Sequence, residues 1–257
     1  MARMESELHV PPLGAETLGT FAGIPITNTL ITSWIVMALL IIVAVFVGKN
    51  AKLVPSKLQV LLEEIITFVY NFVQEVLENE KVSKRYLPLL LTIFLFIATA
   101  NMLEFTPGIG SLGIHLHDEF IPLFRSVNTD LNVTLALAII AVIAIEIAGV
   151  AALGFFTYAG KFINFSGHSF GQRCLNFTVG LIELVSEVSR LVSFSFRLFG
   201  NIFAGEILLT VVTYFVPYVL PSGLMAFELF VGFVQAAVFS LLILFFIKLA
   251  IMDPHAA

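Results

Sequence analysis

Residues 193–209 read SFSFRLFGNIFAGEILL, and they set an arginine, Arg197, and a glutamate, Glu206, among side chains suited to hydrocarbon. A charge at mid-membrane costs roughly 2.5 to 3.5 kcal/mol on insertion scales, so each such residue implies a pairing partner or a task. Arg190 has Glu187 and Glu183 three and seven residues before it on the same helical face, and pairing along one helix can account for it. Arg197 has no acid within a helical turn, and Glu206, nine residues on, points to the opposite side. Its counter-ion is expected on another element or another chain. A guanidinium stays protonated at physiological pH, so Arg197 can attract a carboxylate or repel a cation but cannot relay protons.

The neighbours of Arg197 form a surface. At about 100° per residue, Glu183, Ser186, Glu187, Arg190, Ser193, Arg197, Gly200, Asn201, Ala204 and Gly205 fall within an arc of roughly 140° that is polar or small apart from Phe194. Leu184, Leu191, Leu198, Phe199, Ile202 and Phe203 lie outside that arc and suit lipid or packed protein. Further on, Glu228, Gly232 and Gln235 are spaced four and seven apart and share one side of a helix. If the two helices are antiparallel, Glu206 and Glu228 fall toward one half of the membrane, and Glu183 and Glu187 toward the other. Two acidic routes result, with Arg197 between them. Asn101 and Glu104 can join the route of Glu206 and Glu228, although Glu104 and Glu146 read equally well as residues at wet helix ends.

The elements that must position these residues follow from composition. With 59% hydrophobic and 12% charged residues and a mean hydropathy of +1.01, the chain is outside the range of soluble domains. An all-α polytopic membrane protein is expected, since each crossing takes about 20 apolar residues. Five segments qualify: residues 26–48, 86–105, 131–156, 176–214 and 218–250. The fourth is too long for one upright span, which leaves strong tilt or a break near Gly200 or Gly205. Between the first two, residues 56–78 carry Glu63, Glu64, Thr67, Asn71, Gln74, Glu75 and Glu78 against an apolar stripe, the pattern of an amphipathic helix on a membrane surface. No repeat or linker divides the chain, so residues 1–257 are read as one domain: an outer segment 1–25, a membrane region 26–250 and a tail 251–257.

Residues 1–23 are polar and acidic, which is not the pattern of a cleavable signal peptide. A single cysteine, Cys174, excludes an intrachain disulfide and a cysteine metal cluster, and it reads as a small apolar filler. The net charge of -5 argues against nucleic acid. Basic residues orient the chain. Lys49, Lys52, Lys57, Lys81, Lys84 and Arg85 in the first connection, with Lys161, Arg173 and Lys248, face Arg3 and Arg125 alone on the other side. The amino terminus is therefore expected outside and the carboxyl terminus in the cytoplasm.

RLFGN at 197–201, AGE at 204–206, DLNVT at 130–134, NMLEFTPG at 101–108 and Gln235 together resemble subunit a of the F-type ATP synthase membrane sector. The resemblance runs from the first span to Lys248, and the order and topology of the motifs are specific where each alone is weak. It implies a non-catalytic subunit without cofactor or metal, in a bacterial cell membrane. Its partners would be a ring of c subunits bearing membrane carboxylates, and the b subunits of a peripheral stalk. It implies that Arg197 attracts the deprotonated ring carboxylate and separates two proton half-channels. On the same ground Asn201, Glu206, Glu228 and Gln235, joined by Asn101 and Glu104, belong to the outer half-channel and Glu183 to the inner one. Some members place histidine where Glu206 or Glu228 stands; here both are glutamate, so a histidine relay within the membrane is excluded. The choice between H⁺ and Na⁺ would lie mainly with the ring.

Rival classes fit less well. An ion-coupled secondary transporter predicts an inverted repeat and interrupted helices, and only one pair of spans here is polar. A voltage sensor needs arginines at every third position, whereas Arg190 and Arg197 are seven apart. No HExxH or GxSxG supports an intramembrane hydrolase, and His115, His117 and Asp118 read as a solvated loop.

Overall fold

The chain crosses hydrocarbon as helices because a helix satisfies its own backbone polar groups where no water can. In a computed structural model, which describes residues 14–21, 23–49, 57–106, 112–116, 119–162 and 170–252, five helices are long and apolar enough to span a membrane. In chain order the helices are α1 (Asn28–Lys49), α2 (Lys57–Leu77), α3 (Glu80–Glu104), α4 (Leu131–Leu153), α5 (Phe155–Phe162), α6 (Phe170–Phe215) and α7 (Val219–Ile251). The spans are α1, α3, α4, α6 and α7, as the apolar runs predict.

Several boundaries move for local reasons. The second span begins at Glu80 rather than at residue 86, because the Asn79 side chain accepts the backbone N–H groups of Lys81 and Val82 and caps six further residues into the helix. The third ends at Leu153, where Gly154 takes a φ of 82°; the chain then restarts as the short α5 instead of continuing to residue 156. The fourth is one unbroken helix of 46 residues. Neither Gly200 nor Gly205 interrupts it, so of the two solutions for its length only an oblique course remains, at about 69 Å of helix.

Two small antiparallel hairpins were not expected of an all-α chain. One pairs β1 (Thr17–Phe21) with β2 (Ile24–Thr27), and the other pairs β3 (Gly113–Leu116) with β4 (Glu119–Pro122). Both precede a span, and the second leads through a 3₁₀ turn, Val127–Thr129, into α4. His115 lies on β3, while His117 and Asp118 fall outside the described residues.

The core is built where helices approach closely. Ala138, Ala141, Ile145 and Ala148 give α4 a narrow buried face against α6 and α7, the small-residue packing that membrane helices use. Leu90, Ile93 and Ile97 of α3 pack with Phe239, Ile243 and Ile247 of α7 in the same cluster. Phe194, the apolar exception on the polar arc of α6, is buried against the rings of Phe239 and Phe246. Large apolar side chains such as Ile41, Ile42, Phe46, Ile140 and Phe230 face outward, as lipid requires. On α2 the expected stripe is real: Val73 and Leu77 are buried beside α3 and α7, and Glu63, Glu64 and Glu75 are exposed. Cys174 is exposed on α6 and so is not a packing filler.

α5 is held on α6 by a bare backbone. A Cβ at Gly180 would run into the main-chain carbonyl of Phe162, which cannot move without displacing α5. Gly180→Val should therefore cost about 1–3 kcal/mol, as overpacking does elsewhere. The expected readout is a lowered thermal denaturation midpoint of the detergent-solubilised protein; an unchanged midpoint would mean that α5 does not dock here.

Candidate functional site

The polar residues singled out along the chain fall into two groups at opposite ends of the α6–α7 pair. One group begins with Asn101, one turn before the end of α3, whose side-chain amide donates to the Gly232 carbonyl of α7 at 2.8 Å. It accepts in turn from Asn128 of the 3₁₀ turn at 2.6 Å. Both asparagines are buried, so this link fixes α3, α7 and the segment before α4 to one another. Ser126 donates to Glu104 at 2.7 Å, and Glu104 lies within electrostatic range of Arg125, Glu206 and Glu228. Glu104 is thus part of the cluster rather than merely a residue at a wet helix end.

Glu206 meets Arg125 at 3.6 Å, an ion pair too long for a good hydrogen bond. Arg125 is only 5% exposed, and it is tied from three sides: its backbone N–H donates to Thr32 of α1, one guanidinium nitrogen donates to the Gly14 carbonyl, and another faces Glu206. Glu228 on α7 occupies the space that a side chain at residue 205 would fill; a Cβ on Gly205 would overlap its carboxylate. That glycine explains why the AGE run can set Glu206 and Glu228 beside one another. Nearer the membrane centre, Asn201 donates to Gln235 at 2.7 Å, the contact between α6 and α7 that the two faces predict. Glu206, Glu228, Asn201, Gln235, Asn101 and Glu104 are therefore gathered on one side.

Arg197 is different from these. It is exposed on α6, and the guanidinium makes one hydrogen bond, to Ser193 Oγ at 3.3 Å. No carboxylate among the described residues pairs with it. It opens onto a groove lined by Ser189, Arg190, Ser193, Phe194, Leu242 and Phe246.

Toward the other end, Arg190 pairs with Glu187 at 2.7 Å and stacks over the Phe246 ring at 3.9 Å. The expectation that Glu183 also neutralises Arg190 is corrected: Glu183 pairs instead with Lys161 of α5 at 2.5 Å. Glu146 on α4 is partly buried, with Oε1 shielded from solvent. Sequence reasoning missed Arg125, taking it only as a loop charge, and Asn128 altogether. No local pattern marks Arg125; only the fold returns it to the membrane end of α6.

The sequence that builds this arrangement has relatives. A family model described as ATP synthase A chain matches residues 30–248. The chain is 31% identical to ATP synthase subunit a of Moorella thermoacetica (strain ATCC 39073 / JCM 9320), over 93% of this chain and 96% of that one. It is 32% identical to "ATP synthase subunit a, sodium ion specific" of Propionigenium modestum, over 96% and 82% of the two chains. ATP synthase subunit a of Campylobacter jejuni (strain RM1221) is 33% identical over 81% and 83%.

The Arg125–Glu206 pair makes a direct prediction. Removing one partner of a buried pair leaves an uncompensated charge, whereas removing both does not. In a thermal-denaturation cycle of the purified protein, Arg125→Met should destabilise strongly. Adding Glu206→Gln should recover part of the loss, with a coupling of about 0.5–3 kcal/mol. Simple additivity of the two substitutions would show that the ion pair is not energetically real.

Proposed function

The chain belongs to the ATP synthase A chain family, and on that premise we propose that it is the membrane stator subunit whose two half-channels load and unload protons on a rotating c-ring. Proton flow is thereby coupled to ATP synthesis, whose chemistry lies on other subunits. The observation that carries this reading is Arg197. Arg125, Lys161, Arg190 and Lys248 each have a carboxylate partner within this chain, whereas among the described residues Arg197 has only a serine hydroxyl. An exposed guanidinium within a spanning helix calls for an acid from outside, and a ring carboxylate supplies one.

In this reading Glu104, Asn101, Glu206, Glu228, Asn201 and Gln235 form the outer route, and Glu183 lies on the inner one. A proton arriving through the outer carboxylates neutralises a ring carboxylate, which can then turn into lipid. On its return by way of the inner route that carboxylate loses its proton and is drawn to Arg197, whose fixed positive charge also bars a direct proton path between the routes. The peripheral-stalk b subunits hold this chain against the rotation. The amino terminus faces outward and the carboxyl terminus the cytoplasm of a bacterial inner membrane. This sidedness is supported by the excess of Lys and Arg in the connections assigned to the cytoplasm over Arg3 and Arg125 on the other side. Na⁺ is the second reading of the ion, favoured by the similarity to the sodium-ion-specific subunit a of Propionigenium modestum.

Arg197→Ala tests the proposal. The complex should assemble, because the buried Phe194, Leu198 and Ile202 face is untouched, but ATP-driven acidification of sealed vesicles should be lost. Under an imposed gradient the variant should leak, dissipating about 2.3 kcal/mol per charge per 100 mV. Arg197→Lys keeps the charge but not the planar fork, and should also be severely impaired. Pumping at near wild-type rate by assembled Arg197→Ala complexes would overturn the role, and pumping that stops when sodium is withdrawn would overturn the proton assignment.

A further inference from the structure

The turn between α6 and α7 joins the two longest helices, and it is built unlike the other connections. Residues 207–227 carry no charged side chain, whereas the connections 50–79, 105–130 and 154–169 all do. At the tip Phe215 is 73% exposed, and Tyr218 and Val219 are each 84% exposed. Exposed Met225 and Phe227 extend this surface along α7, where it joins the lipid-facing side chain of Phe230. A contiguous apolar patch of this kind does not belong in water.

The polar groups of the stretch are turned inward. Thr210, Thr213 and Ser222 each donate to the backbone carbonyl four residues back, on Glu206, Leu209 and Tyr218. Pro217 and Pro221 remove two N–H donors from the turn and its flank. Such economies matter where water is scarce and an unpaired polar group is costly.

Deep hydrocarbon does not suit the turn either. α6 stops at Phe215 and α7 starts at Val219. The Val216 N–H closes on the Val212 carbonyl at 2.8 Å, but the remaining carbonyls at a helix end still need donors. Tyr214 and Tyr218 have an apolar ring with a hydroxyl tip, which suits the boundary between lipid and water. Tyr218 holds its ring there at a φ of 83°, a backbone conformation that glycine would adopt more easily.

We propose that the α6–α7 turn is seated in the interfacial layer of the bilayer, with the boundary between lipid headgroups and acyl chains as its partner, and that it anchors the end of α6 there. Lipid fits better than a further protein, because the patch continues the lipid-facing surface of α7 and offers no charge to set a protein in register. The anchor agrees with the oblique course of α6, whose 46 residues then need not push their end into water. It also sets depth. Glu206 and Glu228 stand nine residues from Phe215 and Val219, roughly 14 Å of helix on each arm, so both carboxylates are held beneath the surface. The anchor requires only that α6 and α7 span the membrane, not the stator reading.

Power-saturation electron paramagnetic resonance of the assembled complex in liposomes tests this, with Cys174→Ser and one nitroxide-labelled cysteine at a time. Val219→Cys reports the turn. Ile41→Cys on the lipid-facing side of α1, Glu75→Cys on the exposed face of α2 and Ser195→Cys, packed against Thr134, serve as references. The Val219 label should meet a water-soluble nickel chelate several-fold less often than the Glu75 label. It should meet oxygen several-fold more often than the Ser195 label, yet less often than the Ile41 label. Nickel access equal to that at Glu75 would place the turn in water, and access matching Ile41 would place it in hydrocarbon. Low access to both reagents, as at Ser195, would place it under another protein. Each of these three results would overturn the inference. Normal pumping by Arg197→Ala would sink the stator reading alone, because the label reports position and not transport.

Discussion

Hydrocarbon cannot hydrate a charge, and the structure is organised around that constraint. Each ionised side chain that a spanning helix carries into the apolar layer must find a partner, and the partners lie on other elements often enough to fasten the helices together. Lys161 and Glu183 join α5 to α6, Lys248 and Glu78 join α7 to the end of α2, and Arg125 and Glu206 join the segment before α4 to α6. The amides serve the same end, since Asn101 ties α3 to α7 and Asn201 ties α6 to α7. Polar groups thus supply specificity among helices whose apolar surfaces alone do not distinguish a neighbour from lipid. Against that background Arg197 stands apart, exposed on α6 and without a carboxylate partner among the described residues.

Close packing makes the constraint workable. The alanine face of α4 lets α6 approach, Gly205 makes room for the Glu228 carboxylate, and Gly180 lets α5 lie on α6. An unbroken α6 keeps Glu183, Arg190, Arg197, Asn201 and Glu206 on one rigid rod. The two acidic groups consequently have a fixed separation, with Arg197 between them, which a hinged helix could not guarantee.

Much of this is legible in the residues. The five spans follow from apolar runs of sufficient length, and the approach of Asn201 to Gln235 follows from helical spacing on two facing helices. What was misjudged depended on non-local packing. Spacing along α6 favours Arg190 as the partner of Glu183, but Lys161 arrives from a helix that exists only because Gly154 ends α4 early. Arg125 looks like a solvated loop residue until the fold buries it beside Glu206. The hairpins escaped notice because two short strands carry too little periodicity to stand out beside five spans. The Asn79 cap was missed as well, although its signal is local, and the second span was therefore begun six residues late.

The central claim is that the exposed face of α6 around Arg197 lies against the ring. Disulfide cross-linking in the assembled complex tests this, with the exposed native Cys174 replaced by serine. Ser193, one turn from Arg197 and exposed, should as cysteine cross-link to a cysteine placed beside the ring carboxylate, halt coupled ATP hydrolysis, and release it on reduction. Ser195, buried against Thr134 of α4, should not cross-link. Failure of the Ser193 position to reach the ring, or a cross-link there that leaves coupled hydrolysis unaffected, would contradict the account.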